Sequence, residues 1–371
     1  MTTIIDNDNQ AGCCPALFLA APASGQGKTT ITAALARLLH RQGKRVRVFK
    51  FGPDYLDPQI LQRACKQAVV QLDMWMAGEE WCRQELHQAA IASDIILVEG
   101  AMGIYDGTPS SADLAAKFGL PVVLIMNVKA MAQTAAAIAV GLRNYRDDFD
   151  MMGVIANFCG SNYHGKLVKD ALPDDLPLWA ALKRDEAVEL PERHLGLVQP
   201  FEQGEVVMEQ RLEAGADMLE EAGILPYIEK LKPILFPPQK INRPPNEALK
   251  GATIAIAGDE AFSFAYAANI SLLKAMGGSI VDFSPIHNDC IPSEATAIWL
   301  PGGYPEIHAK KLAENTSMLT SLRSFHQQGK PILAECGGFL YCMDSLVDLE
   351  GKSFAMAGVL PGVGTMKNKA G

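Results

Sequence analysis

The chain has 371 residues, of which 49% are hydrophobic, with a formal net charge of −9. That length suits two ordinary cores better than one large one. No uncharged apolar run reaches the roughly 18 residues of a membrane-spanning helix, and no basic stripe is present to neutralise nucleic-acid phosphates. The first residues, "MTTIIDNDNQAGCCP", carry acidic groups and no basic leader, so a secretory signal is not expected. Eight cysteines without paired spacing predict reduced thiols and no zinc site. The expectation is a cytoplasmic protein whose partners are small molecules, with no nucleic acid and no membrane.

In chain order, the apolar runs "ALFLAA", "VRVFKFG", "DIILVEGA", "PVVLIMNV" and "MMGVIANF" are short and β-rich. Helical segments such as "TTITAALARLLHRQG" and "AQTAAAIAVGLRNY" separate them. This alternation predicts a parallel sheet with helices on both faces. Between the first strand and first helix lies Gly25-Gln26-Gly27-Lys28-Thr29-Thr30, the context a phosphate-binding Walker A loop requires. Backbone N–H groups and Lys28 would face phosphates, and the Thr29 hydroxyl would face Mg²⁺. Pro22 replaces the motif's first glycine.

The next strand ends carry "FKFGPDYLDP" and "VEGAMGIYDG". Carboxylates at the C-terminal ends of parallel strands point into the ligand crevice, so Asp54 and Glu99 are candidate metal ligands beside Thr29. Asp57 reads equally as a helix cap. Asp106 reads as a functional carboxylate ahead of a turn residue. Lys50 faces either phosphate, a substrate carboxylate or solvent. Met74, Trp75 and Met76 are expected to pack rather than to bind. Arg184 and Arg193 are candidates for substrate carboxylates, and His194 for a substrate contact or, at least equally, a core or surface hydrogen bond.

The stretch "ILFPPQKINRPPNEALKG" has four prolines and no periodicity, and reads as a linker. The predicted domains are therefore 1–232, a linker over 233–250, and a second α/β domain over 251–371. The second contains strands in "ATIAIAGD", "SIVDFSP", "AIWLPGG" and "PILAEC". Cys336, at a strand-to-helix turn and followed by two glycines, is a candidate nucleophile. Gly302, Gly303 and Gly337 are candidate oxyanion donors.

Taken together, "APASGQGKTT", "FKFGPDYLDP", "LDMWM", "VEGAMGIYDG" and "LPERHLGL" resemble the cobyrinic acid a,c-diamide synthase family. "LPGGYPE" and "ECGGFLYCM" extend the resemblance into a glutamine amidotransferase domain. The resemblance implies a dethiobiotin synthetase-like P-loop domain, then a flavodoxin-like class I amidotransferase domain. It implies an ATP- and Mg²⁺-dependent ligase that amidates a tetrapyrrole polycarboxylate, with glutamine or ammonia as nitrogen donor, and is compatible with a homodimer. By the same resemblance Lys28, Thr29, Asp54, Glu99 and Asp106 belong to the ATP and metal site, with Tyr55 and Leu56 at the macrocycle's edge. A relative acting on nickel-sirohydrochlorin shares the motifs. Partition ATPases carry a second loop lysine where this chain has Ala23, and dethiobiotin synthetase lacks the amidotransferase half. A nucleotide-binding pseudoenzyme is the non-catalytic alternative. The family's catalytic histidine follows the cysteine, and none occurs after Cys336 here. The expectation is a second domain shorter than the family's, and better use of ammonia than of glutamine.

Overall fold

The structure, a computed structural model, describes residues 11–190, 204–238 and 247–367. Arg193 and His194 lie outside the described residues. The chain divides into two compact units, Met1–Ile241 and Asn242–Gly371.

The first unit is built on strands β1 (Gly12–Ala20), β2 (Val46–Phe51), β3 (Val70–Leu72), β4 (Ile95–Glu99), β5 (Val122–Asn127), β6 (Met151–Cys159) and β7 (Leu178–Lys183), in spatial order β3-β2-β4-β1-β5-β6-β7. All neighbouring pairs on this path are parallel. Leu17, Phe18, Leu19, Leu97, Val98 and Leu124 are fully buried, as central parallel strands covered on both faces must be. The connecting helices are α1 (Lys28–Arg41), α2 (Asp57–Cys65), α3 (Glu79–Ala92), α4 (Ser111–Phe118), α5 (Thr134–Asn144) and α6 (Asn162–Ala171). Helices α7 (Glu205–Glu221) and α8 (Leu225–Ile228) follow.

One expectation needs correction. Residues 233–250 do not begin as linker, because β8 (Pro233–Phe236) pairs antiparallel with β1 over Gly12–Pro15. β1 meets its parallel neighbours only from Ala16 and Phe18 onward. Its first residues therefore offer open backbone groups, which this returning segment satisfies. Composition alone could not reveal a strand defined by its partner.

The second unit carries β9 (Thr253–Ala257), β10 (Ser279–Phe283), β11 (Ala297–Leu300) and β12 (Ile332–Ala334), parallel in the order β10-β9-β11-β12. This is the start of the flavodoxin-like winding. Helices α9 (Ala267–Ala275), α10 (Ala309–Glu314), α11 (Thr316–Gln327) and α12 (Gly337–Cys342) accompany it. A small sheet of β13 (Ser345–Val347), β14 (Ser353–Ala355) and β15 (Val363–Thr365) closes the described part. Its core gathers Phe262, Phe283, Leu300, Leu322, Phe325 and Tyr341. Among the described residues no helix is long and apolar enough to cross a membrane.

Candidate active site

The phosphate loop leaves β1 and enters α1 through Gly27, whose φ of 89° is the left-handed conformation glycine tolerates. A Cβ at this position would also stand 2.3 Å from Asn157 Nδ2, so only glycine fits. Asn157 Nδ2 donates to Gln26 O at 3.0 Å, and Gln26 Oε1 accepts from Asn127 N at 2.8 Å. The ends of β5 and β6 thus brace the loop. Sequence reading missed both asparagines, though each sits at the end of an apolar run.

A cavity of about 700 Å³ opens beside the loop, lined by Gly25, Gly27, Thr30, Asp54 and Leu56 among others. That is ample for a nucleotide. Lys28 is buried, and its Nζ donates to Met102 O at 2.7 Å and Ala23 O at 3.3 Å. Burial, with the charge of Lys50 adding to it, lowers the Lys28 ammonium to about 8. An anion in the cavity would counter both effects.

Thr29 Oγ1 donates to Glu99 Oε1 at 2.8 Å. Glu99 is fully buried, and among the described residues its Oε2 has no hydrogen-bond partner. Lys50, also buried, donates to Glu99 Oε1 at 2.9 Å and reaches Asp57 Oδ2 at 3.1 Å. It is not a solvated strand-end lysine. Burial disfavours its charge, but Glu99, Asp57 and Asp54 outweigh burial and hold its pKa above the ordinary value. Burial pushes the Glu99 carboxyl up against the pull of Lys50.

The remaining candidates divide. Asp54 lines the cavity, but its Oδ1 accepts from Leu56 N at 2.9 Å and Asp57 N at 3.1 Å and so caps the start of α2. Asp57, read equally as a cap, is the first residue of α2 and joins the charged row through Lys50. Asp106 Oδ2 accepts from Gly103 N at 2.9 Å and fixes the turn after β4, and Asp106 is not among the residues lining the cavity. Leu56 is buried against the cavity, whereas Tyr55 is exposed. Arg184 pairs with Glu189 at 2.5 Å. Trp75, expected to pack, is 83% exposed.

The donor set fits a magnesium ion. Glu99 presents an unpartnered buried oxygen next to the Thr29 hydroxyl. Among the described residues no three acidic, histidine or cysteine side chains converge as a preformed cage. Magnesium does not need one, since it takes one or two carboxylates and completes its shell with water and phosphate oxygens.

In the second unit, β12 leads through Glu335 into Cys336, which has φ 48° and ψ −110° and N-caps α12. A non-glycine residue in this region is strained, and the surrounding strand–helix elbow keeps it there with its thiol exposed at the tip. Gly338 permits the elbow, because a Cβ there would stand 2.1 Å from Leu300 O. Gly302 flanks the cysteine, with Cβ-to-Cβ spacing of 3.3 Å for a residue built there. Gly303 N lies 3.0 Å from where a Gly337 Cβ would sit, so the backbones of the three candidate oxyanion glycines gather beside the thiol. Of the second unit's histidines, His287 is engaged by Glu260 at 2.9 Å, His308 occupies the N-cap position of α10 and His326 lies in the last turn of α11.

A P-loop unit with acidic strand ends, followed by a flavodoxin-like unit with a cysteine elbow, defines a nucleotide-dependent ligase carrying its own amidotransferase. Residues 17–198 match the CobQ/CobB/MinD/ParA nucleotide binding domain, and residues 253–370 the CobB/CobQ-like glutamine amidotransferase domain. The chain is 48% identical to a hydrogenobyrinate a,c-diamide synthase of Stutzerimonas stutzeri, over 96% of this chain and 81% of the relative. It is 47% identical to the enzyme of that name from Pseudomonas aeruginosa (94% and 79%) and 46% identical to a cobyrinate a,c-diamide synthase of Herminiimonas arsenicoxydans (95% and 79%). The chain belongs to the cobyrinate/hydrogenobyrinate a,c-diamide synthase family, carbon–nitrogen ligases with a glutamine amidotransferase domain.

Proposed function

We propose that this chain amidates the a and c side-chain carboxylates of cobyrinic or hydrogenobyrinic acid in cobalamin biosynthesis, using ATP and glutamine or ammonia, through an acyl phosphate. A carboxylate is a poor electrophile at neutral pH. Attack of its oxygen on the γ-phosphorus of ATP releases ADP and leaves a phosphate that ammonia can displace from the acyl carbon. The observation that carries this reading is the Thr29–Glu99–Lys50 row beside the phosphate loop, with its unpartnered Glu99 oxygen.

Within that reading, the loop N–H groups of Gly25, Gly27 and Thr30 and the Lys28 ammonium cradle the β- and γ-phosphates. Thr29 and Glu99 would hold Mg²⁺, with Asp54 at the cavity wall. When bound, the ion neutralises charge on the transferring phosphoryl group. Lys50 keeps Glu99 and Asp57 aimed and charged. Asp106 serves through the turn it fixes, and Tyr55 and Leu56 contact the macrocycle. In the second unit the Cys336 sulfur attacks the glutamine carboxamide carbon, while N–H groups of Gly302, Gly303 and Gly337 receive the oxyanion. The thiol proton leaves with the nitrogen as ammonia, and water cleaves the resulting thioester to glutamate and the free thiol.

The experiment supplies Mg-ATP, ammonium and, in parallel, hydrogenobyrinic acid, cobyrinic acid or sirohydrochlorin, and follows products by mass spectrometry. Diamides of the first two are expected. With ¹⁸O-labelled carboxylates, the label should pass to inorganic phosphate. Phosphate free of label rules out the acyl phosphate, and amidation of sirohydrochlorin alone rules out the substrate assignment.

A further inference from the structure

Four large side chains stand uncovered at one edge of the first unit: Trp75 is 83% exposed, Met102 50%, Met76 45% and Tyr55 36%. Strand register gathers them. β3, β2 and β4 are consecutive in the sheet, and Gln71, Lys50 and Glu99 form one row across them. Tyr55 follows that row by five residues, Trp75 and Met76 by four and five, and Met102 by three. All four therefore project from the C-terminal ends of adjacent parallel strands.

The turns that carry them are fastened. Asp73 Oδ1 accepts from Trp75 N at 2.8 Å and from Met76 N at 2.9 Å, and Ala77 N donates to Asp73 O at 3.0 Å. Gln71 Nε2 donates to Asp54 O at 3.0 Å, tying the turn after β3 to the loop that bears Tyr55. Met102 is held at φ 46° with its carbonyl on Lys28 Nζ. Backbones pinned this way while their apolar side chains face solvent are unusual, since a surface tryptophan normally finds cover.

Met102 also lines the nucleotide cavity, so this rim is continuous with it. An aromatic pair and two thioethers, with no charge among them, suit the face of a flat conjugated ring rather than its carboxylate edge. Resting on the function proposed above, we propose that Tyr55, Trp75, Met76 and Met102 form a platform for the apolar face of the macrocycle, from which one peripheral carboxylate reaches the cavity.

The test measures steady-state amidation of hydrogenobyrinic acid and of cobyrinic acid by the full chain, with ammonium as donor. Trp75→Ala, Trp75→Phe and Met76→Ala are compared with the parent. KM for the macrocycle should rise about tenfold or more in Trp75→Ala, the scale of one lost stacking contact, and recover largely in Trp75→Phe. KM for ATP should stay within about twofold, which a general loss of structure would not allow. An unchanged macrocycle KM in Trp75→Ala overturns the platform. So does a loss of self-association on sedimentation without a change in KM, which would assign the rim to a second copy of the chain. If the parent neither binds nor amidates either acid, the platform falls together with the function it rests on. If the parent is active and the variants match it, the platform alone falls.

Discussion

At the scale of single residues, the first unit concentrates charge where water is scarce. Lys28, Lys50 and Glu99 are all buried, and each is positioned by another of the row or by a backbone carbonyl. Among the described residues Lys28 Nζ donates only to carbonyls, so its charge is available to a phosphate. Lys28→Ala should reduce ATP-dependent amidation by roughly a hundredfold or more with either nitrogen donor, because the growing phosphoryl charge loses its cation. Rates near the parent's at saturating Mg-ATP would remove Lys28 from the site. Glu99→Gln keeps the shape of the side chain but deletes an anionic ligand, and should shift half-saturating Mg²⁺ upward by about tenfold. Coincident magnesium titrations for variant and parent would show that the unpartnered Oε2 serves another purpose. The glycines and Lys28–Thr29 of the loop were legible from the sequence because their chemistry depends on close spacing. Lys50 and Asp57 were ambiguous there because their meaning comes from Glu99, more than forty residues away.

At the scale of elements, α7 shows how the site's scaffold is held. Met208, Leu212, Ala216 and Leu219 recur at helical spacing and are buried with Leu35, Leu38 and Leu39 of α1. Gly215 lets the helices approach, since a Cβ there would meet Ala34 Cβ at 2.9 Å. Beside this seam Glu209 pairs with Arg37 at 2.8 Å, Arg63 at 2.8 Å and Lys66 at 2.9 Å. Burial tends to raise its pKa, but Lys66, Arg37 and Arg63 together outweigh burial and hold it at about 2. A carboxylate depressed on folding stabilises the folded state above its unfolded pKa and loses that contribution as pH falls toward its folded pKa. Glu209→Gln should therefore cost about 1–2 kcal/mol at neutral pH, discounted for partial exposure, and leave Arg37 buried with one fewer partner. The gap between variant and parent should narrow as pH drops from about 5 toward about 3. Thermal unfolding of the full chain across that range checks this, and a gap independent of pH would show that Glu209 acts through packing.

At the scale of the whole molecule, two chemistries occupy separate units of one chain. On the function proposed above, carboxylate activation belongs to the first unit and release of ammonia from glutamine to the second. Cys336→Ala should therefore abolish the glutamine-supported amidation, expected to be the weaker of the two, while leaving ammonium-supported amidation within about twofold of the parent. Both activities lost together would mean that the elbow also supports the synthetase step. The division into two α/β units follows from the alternation of short apolar runs with helical stretches, a local property. The start of the linker did not follow, because β8 exists only through its antiparallel pairing with β1.

The sequence by itself determined the phosphate loop, the parallel strands that carry it, the cysteine elbow and the family. Each is written in contiguous residues whose backbone demands, such as glycine at a left-handed turn or a β-rich apolar run, are visible locally. Tertiary structure alone decided which acidic groups share a lysine, that Asp54 caps α2 while Asp57 faces Lys50, and that Trp75 stands uncovered. These depend on strand register, which brings Lys50, Gln71 and Glu99 into one row from three distant segments. Burial and pairing are properties of that row, and no window of sequence contains it.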